Sequence, residues 1–263
     1  MDLGLKGKVA VVAGSSQGLG RAVADALAAE GVDLVINSRS PEKLLAVKNQ
    51  IIQHTGARVE AVPCDLSTAD GASDLISAAE SAFGQVDILV TNTGGPPPGM
   101  FEDHGPEVWR DAIAQNFESV INLVRAALPG MKERRWGRIV NVTSISVKQP
   151  VAGLILSNAI RAGVTGFAKT VSNEVAPFNV TVNNILPGYT RTERLVHLAD
   201  AISERDGTTV EEVYDGWAAE IPMGRVGEPS EFGGVTAFLC SEQASYVTGQ
   251  SIAVDGGWIK GLI

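Results

Sequence analysis

Short apolar runs alternate with longer amphipathic segments along most of the chain. The apolar runs are bounded by glycine, proline or small polar residues, which is typical of buried parallel strands, and the segments between them repeat apolar residues with the spacing of one helix face. The runs lie at 9–13, 32–37, 58–62, 87–91, 137–143, 181–185 and 251–254. Strands that alternate with helices in this way predict an α/β fold, with one doubly wound parallel sheet of about seven strands and helices on both faces.

The predicted helices cover 18–30, a stretch from Pro41 onward, 68–83, 106–131, 153–176 and 229–240. Ser40 before Pro41 is a typical helix start, with a hydroxyl cap followed by proline at the first helical position. The alternation lapses over 191–222, which is charged and helix-forming. Beside a ligand site such a segment is a candidate lid, and a plain pair of surface helices fits its composition equally well. No linker interrupts the chain, so we expect one domain over residues 1–263.

The loops that follow the predicted strands form the functional edge of such a sheet. Ligands bind at the carboxyl ends of parallel strands, near the point where the strand order reverses. These loops are 14–20, 37–40, Asp65, 92–99, 144–150 and 187–192. We therefore expect the site to be built from them.

The first of these loops is rich in glycine, with Gly14, Gly18 and Gly20 between a predicted strand and a predicted helix. Glycine lacks a Cβ, so the turn can adopt a positive φ, a ligand can approach the backbone, and the helix can pack closely on the strand. The helix N-terminus presents free N–H groups and the positive end of its dipole, which suits a pyrophosphate. A tight turn without a ligand is the alternative that the glycine spacing leaves open.

Composition and charge exclude several classes of protein. The chain of 263 residues is 44% hydrophobic and 19% charged, as ordinary globular proteins are. Its formal net charge of −9, without a long block of Lys and Arg, argues against a nucleic-acid-binding protein. No apolar run is long enough to span a bilayer and no signal-peptide pattern is present, so we expect a soluble cytoplasmic protein that does not bind membranes.

The residues that bind metals most often are scattered along the chain. Cys64 and Cys240 lie far apart, and His54, His104 and His197 have no metal-site spacing. We expect neither a metal site nor a disulfide.

Several motifs follow one another in a set order. They are G-x-x-x-G-x-G at Gly14, Gly18 and Gly20, Asp65-Leu66, Asn92-Thr93-Gly94, Asn116 in a long helix, Ser144 at the end of N-V-T-S, P-G-x-x-x-T from Pro187 to Thr192, and V-T-G-Q-S-I-A-V-D-G-G-W. Over nearly its whole length the chain resembles the short-chain dehydrogenase/reductase family, in particular its 3-oxoacyl-ACP-reductase-like members. The resemblance implies a Rossmann-type fold and an NAD(P)(H)-dependent oxidoreductase that reduces a carbonyl or oxidises an alcohol of a small-molecule substrate.

The resemblance also assigns cofactor-binding roles to matching positions. It implies that the glycine turn holds the pyrophosphate and adenosine ribose, Asp65 and Leu66 the adenine, Asn92 and Gly94 the inner ribose, and 187–192 the nicotinamide amide. The residues implied in cofactor binding are Gly14, Ser16, Gly18, Leu19, Gly20, Asp65, Leu66, Asn92, Gly94, Pro187, Gly188 and Thr192, with Arg161 for the nicotinamide ribose.

The end of the second predicted strand bears on the choice between NAD and NADP. A carboxylate there would hydrogen-bond a 2′-hydroxyl and repel a 2′-phosphate, whereas an arginine offers a planar fork for the phosphate. The strand ends in Asn37, Ser38 and Arg39 with no carboxylate. NADP(H) is therefore favoured and NAD(H) is possible; in the alternative, Arg39 only stacks on the adenine or faces solvent.

The resemblance places the catalytic machinery at Asn116, Ser144, Ser157 and Arg161, and here the chain departs from the family pattern. Family enzymes carry a tyrosine thirteen residues after the serine and a lysine four residues later; these positions hold Ser157 and Arg161. A serine hydroxyl is shorter and far less acidic than a lysine-activated phenol. Arginine can donate hydrogen bonds to a ribose but cannot relay a proton.

Three hypotheses of different classes remain open. The first is an NADP-dependent oxidoreductase that takes its proton from Tyr189, Lys148 or water. The second is a dinucleotide-binding module with negligible turnover, and the third is a different reaction on the same scaffold. The resemblance further implies a homodimer or homotetramer. Arg191 and Arg194 faintly indicate an anionic substrate.

Overall fold

A computed structural model describes residues 2–262, except the side chain of Ala201. Within these residues, seven parallel strands form one sheet in the order β3-β2-β1-β4-β5-β6-β7. The strands are β1 (Val9–Val12), β2 (Asp33–Ser38), β3 (Val59–Pro63), β4 (Ile88–Thr91), β5 (Gly137–Val142), β6 (Val180–Pro187) and β7 (Ser251–Val254). The predicted doubly wound sheet is confirmed. Its strand order reverses between β1 and β4, where Val11 lies opposite Leu89.

Helices cover both faces of this sheet. They are α1 (Gly18–Ala29), α2 (Pro41–Thr55), α3 (Ala69–Phe83), α4 (Pro106–Ile113), α5 (Ser119–Arg134), α6 (Ile155–Val175), α7 (Glu193–Asp206), α8 (Val210–Glu220) and α9 (Pro229–Leu239). Successive residues of β1 point to opposite faces, so Ala10 belongs to an apolar cluster with residues of α1, α2 and α9, whereas Val11 belongs to one with residues of α3, α5 and α6. Burial on both faces explains why β1 is apolar at every position.

The Ser40 hydroxyl accepts a hydrogen bond from the amide of Lys43, and Pro41 is the first residue of α2, so the predicted start of this helix is confirmed.

The continuous helix expected over 106–131 is wrong in one respect, because a π-helical turn at Ala114–Glu118 separates α4 from α5. Such a turn holds an extra residue and is common at functional sites. It leaves no mark in the hydrophobic pattern.

The charged segment 191–222 folds into α7 and α8, which pack over the ends of β6 and β7. Leu195 of α7 and Trp217 of α8 belong to an apolar cluster with Leu186 and Trp258. The segment is therefore anchored at the edge of the sheet where the loops converge. No helix of residues 2–262 is both long enough and apolar enough to cross a membrane.

Candidate active site

A cavity of about 800 Å³ lies at the carboxyl ends of the central strands. Of the residues that the sequence analysis proposed, it is lined by Gly14, Ser16, Gly18, Leu19, Arg39, Asp65, Leu66, Asn92, Gly94, Ser144, Ser157, Arg161, Pro187, Gly188 and Thr192. Gly20 and Asn116 do not line it. Its volume is within the range of small-molecule sites.

The glycine turn at the floor of the cavity requires glycine for steric reasons. Gly14 and Gly18 have φ of 56° and 58°, in the left-handed region that side chains disfavour. A Cβ at Gly14 would lie 2.3 Å from the carbonyl oxygen of Asn92, and a Cβ at Gly20 would lie 2.2 Å from the carbonyl oxygen of Gly14. Gly20 thus lets α1 pack against the turn and serves the cavity indirectly.

The N-terminus of α1 opens into the cavity without a competing anion. Gln17 precedes the helix and makes no side-chain cap, and no acidic residue lies in the first turn. The side-chain nitrogen of Asn92 donates a hydrogen bond of 3.0 Å to the main-chain carbonyl of Gly14, which links the loop after β4 to the glycine turn. Free N–H groups and the positive helix end therefore remain available to an anion.

Two cations lie at the end of β2. Arg39 is exposed and lines the cavity, and Lys43, in the first turn of α2, donates a hydrogen bond of 3.0 Å to the side-chain oxygen of Gln17. The amide of Ser67 and, to a smaller extent, the charge of Arg39 lower the pKa of the Asp65 carboxyl. Lys43 was not predicted from the sequence, although it lies only four residues after Arg39 and in the first turn of the predicted helix.

Ser144 and Ser157 present hydroxyl groups to the far end of the cavity. The oxygen of Ser144 accepts a hydrogen bond of 3.1 Å from the amide of Ser146, so its own hydrogen remains free to be donated. The oxygen of Ser157 lies 3.4 Å from that of Ser146. The hydroxyl groups of Ser157 and Ser146 can therefore form a weak hydrogen bond in the wall of the cavity.

Arg161 is a buried cation whose guanidinium bridges two loops. It donates 2.7 Å and 2.6 Å hydrogen bonds to the main-chain carbonyls of Val142 and Gly94. Burial, and then the nearby charge of Arg194, lower its pKa to about 10. No carboxylate among residues 2–262 pairs with it. At neutral pH Arg161 is therefore an uncompensated positive charge in the wall of the cavity.

Asn116 sits within the π-helical turn rather than at the cavity surface. Its side-chain nitrogen donates a hydrogen bond of 3.1 Å to the carbonyl of Ala112, and its side-chain oxygen has no partner among the described residues. The residue is 2% exposed. Asn116 therefore does not reach the cavity surface, whereas Ser144 and Ser157 line it.

The two alternative proton donors differ in position. Tyr189 lines the cavity and stacks on Trp217 with 5.3 Å between ring centroids. Burial, and then the charge of Glu220, raise the pKa of its phenol. Lys148 is exposed and is not among the lining residues. Of the two, only Tyr189 faces the space that a substrate would occupy.

One face of α7 closes the cavity. The guanidinium of Arg194 donates hydrogen bonds of 2.9 Å and 3.1 Å to the carbonyls of Gly95 and Pro96. Arg191 points elsewhere, with its side chain 3.2 Å from the carboxylate of Glu228 and over the ring of Tyr214. The remaining lining residues of α7 are Glu193, Leu195, His197 and Leu198. Their segment was expected to border the pocket, but which of its side chains would face inward was not predicted from the sequence.

The part of the chain that the structure describes contains no group of three or more His, Cys, Asp or Glu side chains able to hold a metal ion. Cys64 and Cys240 are free thiols.

A doubly wound parallel sheet with a glycine turn, a free helix N-terminus and a cavity above them defines a Rossmann-type nucleotide-binding protein. Residues 13–259 match the family model described as Enoyl-(Acyl carrier protein) reductase. The chain belongs to the short-chain dehydrogenase/reductase family, as the motifs indicated.

Relatives within this family match almost end to end. The NADPH-dependent reductase BacG of Bacillus subtilis is 33% identical over 97% of this chain and 99% of its own length. The 3-oxoacyl-(acyl-carrier-protein) reductase FabG of Aquifex aeolicus is 33% identical over 98% of this chain and 99% of its own. The structure of L-sorbose reductase from Gluconobacter frateurii, complexed with NADPH and L-sorbose, superimposes with a TM-score of 0.96 at 33% identity, covering 100% of both chains.

Proposed function

We propose that the protein is an NADP(H)-dependent oxidoreductase that interconverts a small carbonyl compound and its alcohol. One observation carries the proposal: a single cavity joins the glycine turn beneath the N-terminus of α1 to the free hydroxyl of Ser144. Membership of the family, and relatives described as NADPH-dependent or complexed with NADPH, support the class of reaction and the cofactor.

The residues at the glycine turn fit a dinucleotide. Gly14 and Gly18 carry no Cβ, and their positive φ disfavours any residue that does, so the floor leaves room for the ligand; α1 offers uncapped N–H groups to a pyrophosphate. The carboxylate of Asp65 would hold the adenine, and the loop at Asn92 would hold the inner ribose. Gly188 and Thr192 would hold the nicotinamide end. When bound, the nicotinamide supplies or accepts a hydride.

Arg39 and Lys43 favour a 2′-phosphate on the adenosine ribose. Arg39 directly follows β2, and Lys43 lies in the first turn of α2; both are cations that line the cavity. Asn37 at the end of β2 instead donates its side-chain amide to the carbonyls of Val62 and Cys64. An ionised phosphate would gain charge-assisted hydrogen bonds from Arg39 and Lys43. β2 ends in Asn37 and Ser38, neither of which carries a carboxylate that would repel the phosphate.

The active site is proposed to be atypical for the family, with Ser157 and Arg161 at the positions of its tyrosine and lysine. Ser144 polarises the carbonyl by donating its free hydroxyl hydrogen. Arg161 holds the loops after β4 and β5 together and adds positive charge beside the developing oxyanion. The proton then comes from Tyr189, which lines the cavity, or from water admitted beside the short side chain of Ser157.

A dinucleotide-binding module with negligible turnover is the second candidate. It is favoured by the same pair of residues, because Ser157 is a very weak acid and Arg161 already donates to two main-chain carbonyls. The raised pKa of Tyr189 also makes that phenol a reluctant proton donor.

We further propose that α7 and α8 act as a lid within a single domain. We also propose that the protein forms a homodimer or homotetramer through the long helices α4 to α6 and the C-terminal strand β7. The contact of Arg194 with Gly95 and Pro96 supports the lid, because it links α7 to the loop after β4. Sedimentation velocity measures the mass of the assembly, and a monomer at micromolar concentration would refute the oligomer.

The function is tested by titrating the purified protein with NADPH and NADH and then assaying oxidation of NADPH with a panel of ketones. The oxidoreductase proposal requires tighter binding of NADPH than of NADH, together with turnover of at least one ketone. Tight binding without turnover would favour the binding module. Failure to bind either nucleotide would refute both candidates.

A further inference from the structure

Positive charge dominates the end of the cavity that lies opposite Arg39. The sheet order separates β2, which leads to Arg39, from β5 and β6, whose loops reach Arg161 and Arg194. Among the described lining residues at this end, Glu193 is the acidic one, and it is exposed. The phosphates of a dinucleotide would sit at the glycine turn and at Arg39, so these two arginines remain without an anion.

The two guanidinium groups donate hydrogen bonds to adjacent residues, Arg161 to the carbonyl of Gly94 and Arg194 to that of Gly95. Arg161 is 8% exposed, and its burial, and then the charge of Arg194, lower its pKa. Burying an arginine without a counterion carries a large desolvation penalty, and a second positive charge adds to it. A ligand with a negative charge at this place would compensate both residues.

Both side chains retain unused hydrogen-bond donors. A guanidinium has five N–H groups. Arg161 uses one N–H on each of two carbonyls, those of Val142 and Gly94, and Arg194 does the same with Gly95 and Pro96. These bonds fix the orientation of the planar groups, which reduces the entropy that they would lose on binding a carboxylate.

Five apolar side chains also line the cavity at this end. They are Ile145, Val151, Leu154, Leu195 and Leu198. We propose that the substrate is a carbonyl compound with a carboxylate group and a short apolar body, and that Arg194, beside Arg161, receives the carboxylate. This inference rests on the proposed function of the same cavity and adds the substrate class to it.

In the competing interpretation, the two arginines only hold the loop after β4 in place. Replacing them would then change the affinity for acidic and neutral ligands equally, because they would shape the cavity without contacting the charge of the ligand. A carboxylate receptor would affect only the acid. The ratio of the affinities for an acid and its ester therefore separates the two.

Arg191 offers a matched control for Arg194. It lies three residues earlier, carries the same charge, and pairs with Glu228 outside the cavity. The variants are Arg194→Gln, Arg194→Lys and Arg191→Gln. The probes are pyruvate, acetoacetate and 4-oxopentanoate, each beside its methyl ester. Calorimetry measures their binding to protein saturated with NADP⁺, which cannot reduce a ketone, so binding is read without turnover.

We expect at least one acid to bind about tenfold or more tightly than its ester, as a charge-assisted hydrogen bond allows. Arg194→Gln should abolish this preference, Arg194→Lys should restore part of it, and Arg191→Gln should leave it unchanged. The proposal is overturned if no acid binds more tightly than its ester, or if Arg194→Gln weakens acid and ester equally. If NADP⁺ itself does not bind, the proposed function is wrong and the substrate assignment falls with it.

Discussion

Ser157 and Arg161 lie one helical turn apart on α6, and both side chains face the cavity while each is only 8% exposed. The helix face that a tyrosine and a lysine would use is therefore present, but it carries the short side chain of Ser157 and the guanidinium of Arg161. Because Ser157 lines the cavity, we expect a larger side chain at this position to extend into it.

Restoring the family pair should raise reductase activity. In the double variant Ser157→Tyr/Arg161→Lys a phenol would reach the cavity and a lysine would lower its pKa. A positioned general acid contributes about a hundredfold or more to the rate. Steady-state NADPH oxidation with a ketone measures the effect.

The single variant Arg161→Lys is the control for this experiment, since it lacks the phenol and should gain nothing. Thermal unfolding checks that the added ring does not overpack the wall. A well-folded double variant that is no faster than the native protein would show that the site is not a reductase site altered at two residues.

Removing the charge of Arg39 should weaken NADPH binding selectively. Arg39→Ala deletes a charge-assisted contact to the 2′-phosphate, which we expect to weaken NADPH binding about tenfold or more while NADH binding is unchanged. Fluorescence titration measures both affinities. Arg58→Ala removes an exposed arginine that pairs with Asp33 away from the cavity, and it should alter neither. Equal losses for the two nucleotides in Arg39→Ala would contradict the phosphate role.

The glycine turn should not tolerate even one methyl group. A Cβ at Gly20 would lie 2.2 Å from the carbonyl oxygen of Gly14, and this backbone atom cannot move aside without breaking the turn. We expect Gly20→Ala to destabilise the protein by about 2 kcal/mol or more and to impair nucleotide binding. Urea unfolding and NADPH titration provide the two readouts.

Gly234 gives the matched control for this substitution. It is exposed in α9, and a Cβ there would meet nothing within 4 Å. Gly234→Ala should stabilise the protein by about 0.5–1 kcal/mol, because alanine is the better helix former. If Gly20→Ala behaved like Gly234→Ala, the close packing of α1 on the turn would be wrong.

The buried thiol of Cys240 should make stability depend on alkaline pH. Burial raises the pKa of Cys240 from 9.0 to about 12, against a smaller opposite effect of Arg138. Between these values the unfolded chain loses the proton and the folded chain keeps it. The stability contributed by the buried thiol is therefore full below pH 9 and is lost as the pH rises toward 12.

Urea unfolding at pH about 8 and about 10 measures this effect, because the two conditions bracket the unfolded thiol pKa. The native protein should lose more stability between them than Cys240→Ala does. Cys64→Ala removes a half-buried thiol and should retain most of the dependence. Identical pH profiles for the native protein and Cys240→Ala would refute the burial effect.

The sequence by itself determined the sheet and the loops at its functional edge. Strands buried on both faces are apolar at every position, as Val9 to Val12 are, and amphipathic helices between them leave few other arrangements. Because parallel strands all end at one edge, loops as distant as those at Gly14 and Ser144 were predicted to share a site, and both line the cavity.

Only the tertiary structure decided where individual side chains point. It turns Arg194 into the cavity and Arg191 toward Glu228, brings Lys43 beside Gln17, and holds the side chain of Asn116 inside a π-helical turn. These orientations depend on packing between segments that are far apart in the chain. The local periodicity of apolar residues fixes which face of a helix is buried, but it does not fix which polar neighbour a side chain at the margin of that face will contact.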